Sequence, residues 1–153
     1  MKRALITGIT GMVGSHLLDY LVDNTDWEIH GILRWRSSLD NITRHIPTIN
    51  KGTRIFVHYA DLTDLASLEN ICKDNKFDYA FHLAAQSFPK TSFNAANHTY
   101  NVNIVGTENI LFALHKYSPN VIVHNCSSSE VFGRVPKEYV PIKENTPFHP
   151  ASP

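Results

Sequence analysis

The sequence predicts an α/β fold with a doubly wound parallel sheet, and three observations carry that prediction. Short β-rich runs alternate with helical periods along the chain, the pattern of repeated βαβ units. The 153 residues and 42% hydrophobic content suit one domain with a real core, since a chain of this size buries roughly 68–70% of its unfolded surface. No internal repeat or low-complexity tract breaks the alternation. Parallel crossovers are right-handed in about 98% of cases, which leaves helices on both faces of the sheet as the leading topology.

The elements follow in order. Arg3–Thr7 (RALIT) reads as a buried strand and leads into a glycine-rich turn. From Val13 onward Leu17, Leu18, Leu21 and Val22 recur at helical spacing, and Asp23-Asn24 is the stop. Glu28–Leu33 (EIHGIL) is a second strand and Arg54–Tyr59 (RIFVHY) a third. Asp64 then opens a helix whose Leu65, Leu68, Ile71 and Cys72 share a face. Asp78–Leu83 (DYAFHL) is a fourth strand and Val121–Asn125 (VIVHN) a fifth. Between them Asn101–Lys116 carries Val102, Val105, Ile110, Leu111 and Leu114, a long helix expected to be buried on much of its circumference. Five of the eight prolines fall in the last eighteen residues, so that tail is expected to be loop. A chain stopping in such a loop, at Ala151-Ser152-Pro153, reads as the N-terminal part of a longer protein.

Composition excludes several classes. Lys+Arg and Asp+Glu balance at 14 each and are interspersed, which gives no footprint for nucleic acid or an anionic membrane. No apolar run reaches the roughly 20 residues that span a bilayer, and Met1–Thr7 is broken too soon by Gly8 for a signal peptide. Cys72 and Cys126 match neither a metal spacing nor a disulfide framework. The nine histidines are too scattered for a metal site. A soluble, cytoplasmic protein is expected.

Thr7-Gly8-Ile9-Thr10-Gly11-Met12-Val13-Gly14 joins the first strand to the first helix. Unpaired amides at a helix N-terminus carry about half a positive charge and suit a pyrophosphate. Glycines there permit a tight turn and close approach, giving a Rossmann-type dinucleotide site. The spacing G-x-x-G-x-x-G is one residue wider at its first step than G-x-G-x-x-G, and glycines also mark ordinary turns.

The second strand ends in Leu33-Arg34-Trp35-Arg36-Ser37-Ser38, with no acid to hold a ribose 2′-hydroxyl. Arg34, Arg36 and Ser37 suit a 2′-phosphate, because guanidinium offers a planar fork of donors. NADP is therefore favoured over NAD, with Trp35 or an Arg plane available to stack on adenine. The alternative is that both arginines are solvated loop charges. Asp61-Leu62 follows the third strand; Asp61 can accept from the adenine amino group, cap the helix opening at Asp64, or do both. His82 reads as a buried, hydrogen-bonded histidine, and Cys126 as an ordinary buried small residue.

With these motifs in place, the chain resembles the extended short-chain dehydrogenase/reductases, the sugar-nucleotide epimerases and dehydratases. His82-Leu83-Ala84-Ala85-Gln86-Ser87, Lys90-Thr91-Ser92-Phe93, Asn103–Thr107 (NIVGT), Ser127–Gly133 (SSSEVFG) and Thr146–Pro150 (TPFHP) are most similar to the GDP-mannose 4,6-dehydratases. The departures are Ser128 where that group usually has Thr, Ala151 for Arg, Phe88-Pro89 for His-Val and His98 for Tyr.

The resemblance implies an NADP-binding domain over residues 1–153, incomplete at its C-terminal end. The cofactor would meet Gly8, Ile9, Thr10, Gly11, Met12, Val13, Gly14, Arg34, Arg36, Ser37, Asp61, Leu62, Leu83, Ala84, Ala85, Gln86 and Ser87. It also implies a GDP-sugar substrate, an oligomeric parent, and a redox-neutral dehydration. Glu130, partly desolvated with a raised pKa, would serve as acid and base for the elimination. Ser128 would bond the C4 oxygen; the bland alternative is a Ser/Glu turn after a strand. The family's Tyr-x-x-x-Lys is expected just past Pro153. Tyr139 and Lys143 have that spacing but straddle Pro141, so no helix aligns them. The 153 residues alone are expected to lack turnover. A 4-reductase or epimerase of the same superfamily, or a non-catalytic NADP-binding module, is the alternative.

Overall fold

The computed structural model describes residues 1–153. Five parallel strands, β1 (Arg3–Thr7), β2 (Glu28–Leu33), β3 (Ile55–Tyr59), β4 (Tyr79–His82) and β5 (Ile122–Asn125), form one sheet in the order β3-β2-β1-β4-β5. Pairing is in register from Arg3↔Glu28 to Thr7↔Ile32 and from Ala4↔Tyr79 to Thr7↔His82. The chain winds outward from β1 to β3, then returns to β1's other side for β4 and β5. The switch point therefore lies between the carboxyl ends of β1 and β4.

Alternation along β1 divides the core. Ala4 and Ile6 face a cluster with Ile9, Leu18, Leu21, Ile29, Leu33, Ile42 and Ile55, closed by helix α1 (Met12–Asn24). Leu5 faces the other side, with Ile32, Leu68, Ile71, Phe77, Ile110 and Leu114. Helices α3 (Leu65–Asp74) and α6 (Gly106–Tyr117) supply that layer. Each fully buried leucine or isoleucine contributes about 1.5–3 kcal/mol. The predicted doubly wound sheet is the observed one. No helix is long and apolar enough to cross a membrane.

The differences have local causes. The last three strands begin one residue later than predicted, and β4 ends at His82 rather than Leu83. The β2–β3 crossover contains a 3₁₀ segment, Asp40–His45, and helix α2 (Ile46–Lys51); with Pro47 in its first turn, α2 is too short for a periodic signal. Helices α4 (Pro89–Asn94) and α5 (Ala96–Tyr100) precede the long helix, which opens as a π-helical segment, Asn101–Val105, before α6. That helix is less buried than predicted. Only Gly106, Ile110, Ala113 and Leu114 of α6 are buried, while Ile104, Val105, Leu111 and Phe112 are exposed on the side away from α3 and the sheet. Cys126 is also exposed rather than buried, because it leaves an edge strand that is itself largely exposed. Burial pushes the Cys72 thiol up to about 12.

A polar chain centred on the buried His30 crosses three strands. His30 Nε2 lies 2.9 Å from Glu28 Oε1, and His30 Nδ1 lies 2.9 Å from His58 Nε2. Arg3 Nε holds the same Glu28 oxygen at 2.7 Å. Burial pushes His30 below its ordinary range against the pull of Glu28, and burial with the His30 charge pushes His58 down. The His30 bond, helped by Arg3, holds Glu28 low. The unfolded chain thus takes up protons on these histidines before the folded chain does, and stability falls with falling pH. The urea midpoint is expected to be flat above about pH 7.5 and to decline below about pH 6.5, where free histidine titrates. Glu28 adds a further loss as pH falls through its lowered folded value. A midpoint that rose as pH fell from about 7.5 to about 6.5 would contradict the assignment.

Candidate functional site at the carboxyl edge of the sheet

All five parallel strands point their carboxyl ends to one edge, so the five segments singled out from the sequence gather there. The glycine turn leaves β1. Gly8 has φ +71°, and its N–H donates to Ile32 O at 3.1 Å. Gly11 N donates to Gly8 O at 2.9 Å, and Gly11 then caps α1 in extended conformation with no side-chain acceptor for the first-turn amides. A Cβ on Gly14 would stand 2.2 Å from Gly8 O, so helix and turn are in backbone contact. Met12 and Val13 are exposed at the helix mouth. Thr10 is held by its carbonyl, which accepts from Asn41 Nδ2 at 2.9 Å. The Ile9 side chain is fully buried against Gly31, so Ile9 presents its backbone to the turn.

Beyond β2, Arg34, Trp35, Arg36 and Ser37 line an open depression of about 530 Å³ with Tyr59, Ala60, Asp61, Asp64 and Ser67. Ser37 N donates to Arg34 O at 3.0 Å, closing a turn in which Arg36 has φ +69°. Trp35 is exposed and sits edge-on to Tyr59, ring centroids 5.2 Å apart. Arg34 and Arg36 are exposed, yet both border this depression.

Asp61 is not the helix cap. Its Oδ1 accepts from Thr63 N at 2.9 Å and Thr63 Oγ1 at 2.7 Å, whereas Asp64 itself accepts from Ala66 N and Ser67 N at the start of α3. The two Thr63 bonds, then the charges of Arg34 and His98, hold the Asp61 carboxyl below its ordinary range. Asp64→Ala is expected to cost about 1 kcal/mol through loss of the cap, a fall in Tm of about 2–4 °C. An unchanged melting curve would refute the capping role. The Leu62 side chain is core beside Gly106, and its carbonyl accepts from Asn109 Nδ2 at 2.9 Å.

Leu83, Ala84, Ala85, Gln86 and Ser87 follow β4 across the switch point from the glycine turn, and Ala84 touches Gly8. Leu83 N and Ala84 N both donate to Thr7 Oγ1 at 3.1 Å. Asn103 brackets Gln86, accepting from its N at 2.8 Å and donating to its O at 3.0 Å. His82 is buried and hydrogen-bonded, as its sequence context suggested. Thr7, Asn41, Asn103 and Thr107 were not singled out as functional residues; Asn103 and Thr107 lie in the NIVGT segment, whose spacing alone assigns no contact.

Ser128 and Glu130 follow β5. Ser128 Oγ accepts from Glu130 N at 3.1 Å and caps a 3₁₀ turn, Ser129–Phe132, so the turn alternative describes the local geometry. Glu130 is exposed, so these 153 residues do not supply the expected desolvation. The tail packs on the same turn: His149 N donates to Val131 O at 2.8 Å, and Phe148 stands edge-on to Phe132. The tail is otherwise loop with a second 3₁₀ turn, Lys137–Tyr139. Tyr139 and Lys143 border one small depression there, but no helix joins them.

Comparison with known proteins supplies the relationship. A family model described as GDP-mannose 4,6 dehydratase matches residues 5–153. The chain is 43% identical to the GDP-mannose 4,6 dehydratase of Drosophila melanogaster, over 99% of this chain and 39% of that one. Among solved structures, RMD from Pseudomonas aeruginosa complexed with NADPH superposes with a TM-score of 0.75 at 27% identity, covering 99% of this chain and 44% of that one. UDP-glucose 4-epimerase from Bifidobacterium longum, in complex with NAD+ and UDP, gives a TM-score of 0.81 at 25% identity, covering 97% and 43%. The chain spans about two fifths of the length of the curated relatives it matches. With a glycine turn and an Ala-Ala segment facing each other across the switch point, and a family match over almost every residue, the chain belongs to the GDP-mannose 4,6 dehydratase family.

Proposed function

We propose that residues 1–153 form an NADP-binding domain whose whole protein converts a GDP-sugar, GDP-mannose, to its 4-keto-6-deoxy form. The family match over residues 5–153 supports the activity, and the depression beyond β2 supports the cofactor: it offers Arg34, Arg36 and Ser37, and no carboxylate follows β2 directly, the Asp61 and Asp64 of its far wall coming after β3. A 2′-phosphate matches such a fork of donors, whereas a bare 2′-hydroxyl calls for an acid there. The rest of the edge suits the remainder of a dinucleotide. Gly11 leaves the first α1 amides without a side-chain acceptor, and the Gly8–Gly14 contact keeps side chains out of the phosphate path. The Asp61 carboxylate borders the same depression as Trp35 and can accept from an adenine amino group.

Bound NADP would supply the hydride acceptor and donor of a redox-neutral dehydration. In this reading Glu130 takes the C5 proton of the hexose and returns a proton to the departing C6 oxygen. Ser128 Oγ already accepts from the Glu130 amide, so its own hydroxyl proton stays free to donate to the C4 oxygen. The exposure of Glu130 fits a site completed by further residues.

Titration of the folded chain with NADP and NAD, followed by tryptophan fluorescence or calorimetry, tests the reading. NADP is expected to bind at least about tenfold more tightly, the worth of one charge-assisted hydrogen bond, with affinity falling as salt rises. Equal or tighter NAD binding, or no binding by a folded sample, would overturn it. The epimerase likeness supports a second reading, a 4-epimerase or 4-reductase. Product analysis of the whole protein separates them, because only dehydration yields a 4-keto-6-deoxy sugar without net consumption of reduced cofactor.

A further inference from the structure

We propose that Thr7, His82 and Thr107 form a polarised hydrogen-bond relay that fixes the backbone of residues 83–86, so that dinucleotide affinity requires His82 to be neutral. This rests on the cofactor reading above for the affinity, but not for the relay itself.

The direction of each bond follows by elimination. A threonine hydroxyl has one proton and two acceptor lone pairs. Thr7 Oγ1 accepts from both Leu83 N and Ala84 N, at 3.1 Å each. Its proton must then go to its third partner, His82 Nδ1 at 2.8 Å. Nδ1 is therefore bare, and a neutral ring carries its hydrogen on Nε2, which donates to Thr107 Oγ1 at 3.0 Å. Thr107 in turn donates to Asn103 O at 2.7 Å. Every bond runs the same way, an arrangement in which each strengthens the next. Asn103 closes the clamp through its two bonds to Gln86. The segment facing the glycine turn is thus tied at Leu83, Ala84 and Gln86.

A protonated His82 does not fit. Both ring nitrogens would be donors, and Nδ1–H would need a Thr7 lone pair, releasing the amide of Leu83 or Ala84. No charged group is placed to favour the cation. The partners are Thr7 from β1 and Thr107 from α6; on β5 the register partner is Asn125, and His124 pairs with Phe81 on the opposite face. Burial alone acts on the ring, and it favours the neutral form.

Three measurements on the isotope-labelled chain decide the matter. At about pH 7.5 the His82 imidazole nitrogens are expected to show the Nε2–H tautomer. On acidification, Leu83 and Ala84 amide protection, corrected for intrinsic exchange, is expected to drop about tenfold as His82 titrates. Thr7→Val is expected to weaken NADP binding about tenfold, as for one lost hydrogen bond, and to remove the relay's part of the pH dependence; Thr7→Ser is expected to restore both. Comparing variants cancels the titration of the ligand's own phosphate. Should Thr7→Val fail to fold, Thr107→Val breaks the far end and replaces it. An Nδ1–H tautomer, protection indifferent to His82 titration, or a valine variant with the parent's affinity and pH profile would each overturn the proposal. Absence of binding at about pH 7.5 with both spectroscopic results as expected would overturn the cofactor reading and the affinity claim, leaving the relay as a structural clamp.

Discussion

Gly14→Ala is expected to lower the unfolding free energy by about 3 kcal/mol or more and to abolish dinucleotide binding. The added Cβ would lie 2.2 Å from Gly8 O, 2.9 Å from Ile9 Cα and 3.0 Å from Gly8 C. These are backbone atoms of a turn that is itself fixed, by Gly8 N on Ile32 O and by the buried Ile9 side chain. No rotamer change relieves such a contact, so α1 must move away from β1 and surrender part of the Leu18 and Leu21 packing. At about 2–4 °C per kcal/mol, the melting temperature should fall by about 6–12 °C. Gly8→Ala should cost less, about 1–2 kcal/mol, for a left-handed φ and a 3.0 Å approach to Ala84 Cα. Gly11→Ala should cost least, because its φ is ordinary and its Cβ would meet only Gly8 O at 3.2 Å. Thermal melts of the three variants check the ranking. A Gly14→Ala melt within about 2 °C of the parent would mean that helix and turn are not in hard contact.

The sheet was legible because strand and helix periods differ, and because Leu5 between Ala4 and Ile6 announces two buried faces. Knowing that the strands are parallel also fixes the edge where ligands gather, and so brings Gly8, Arg34, Asp61, Leu83 and Ser128 to one side. What sequence spacing cannot give is direction at single-residue resolution. Ile9 and Leu62 stand beside site residues but turn inward, since the turn and the α3–α6 layer each need an apolar anchor at that point. Asp61 and Asp64 are alike as letters; only hydrogen-bond geometry makes the second the cap and leaves the first at the depression. The support from Thr7, Asn103 and Thr107 joins residues up to about a hundred positions apart, and no local pattern encodes it. The exposed Val105 and Leu111 have the opposite character. Their periodicity was plain, but an apolar letter reports a tendency to be covered, not the element that covers it.

Arg36→Gly is expected to stabilise the chain while weakening NADP, two effects that ordinarily run together for a binding-site loop. Arg36 occupies the third position of the turn closed by Ser37 N on Arg34 O, with φ +69°. That position favours glycine, and a side chain held there costs about 1 kcal/mol. Some of this gain is offset by the greater freedom of glycine in the unfolded chain, so a net stabilisation of about 0.5 kcal/mol is expected. Losing the guanidinium should weaken NADP by about 10–100-fold, the equivalent of one or two charge-assisted bonds to a 2′-phosphate, while NAD affinity stays unchanged. Arg36→Lys should fall between, retaining charge without the planar fork and gaining no backbone relief. A turn that keeps an arginine in a disfavoured conformation is explicable when the side chain is needed at the depression it borders. If Arg36→Gly weakened NAD and NADP equally, the turn's shape rather than its guanidinium would be what the dinucleotide meets. If it destabilised the chain, Arg36 would be making contacts worth more than its backbone strain.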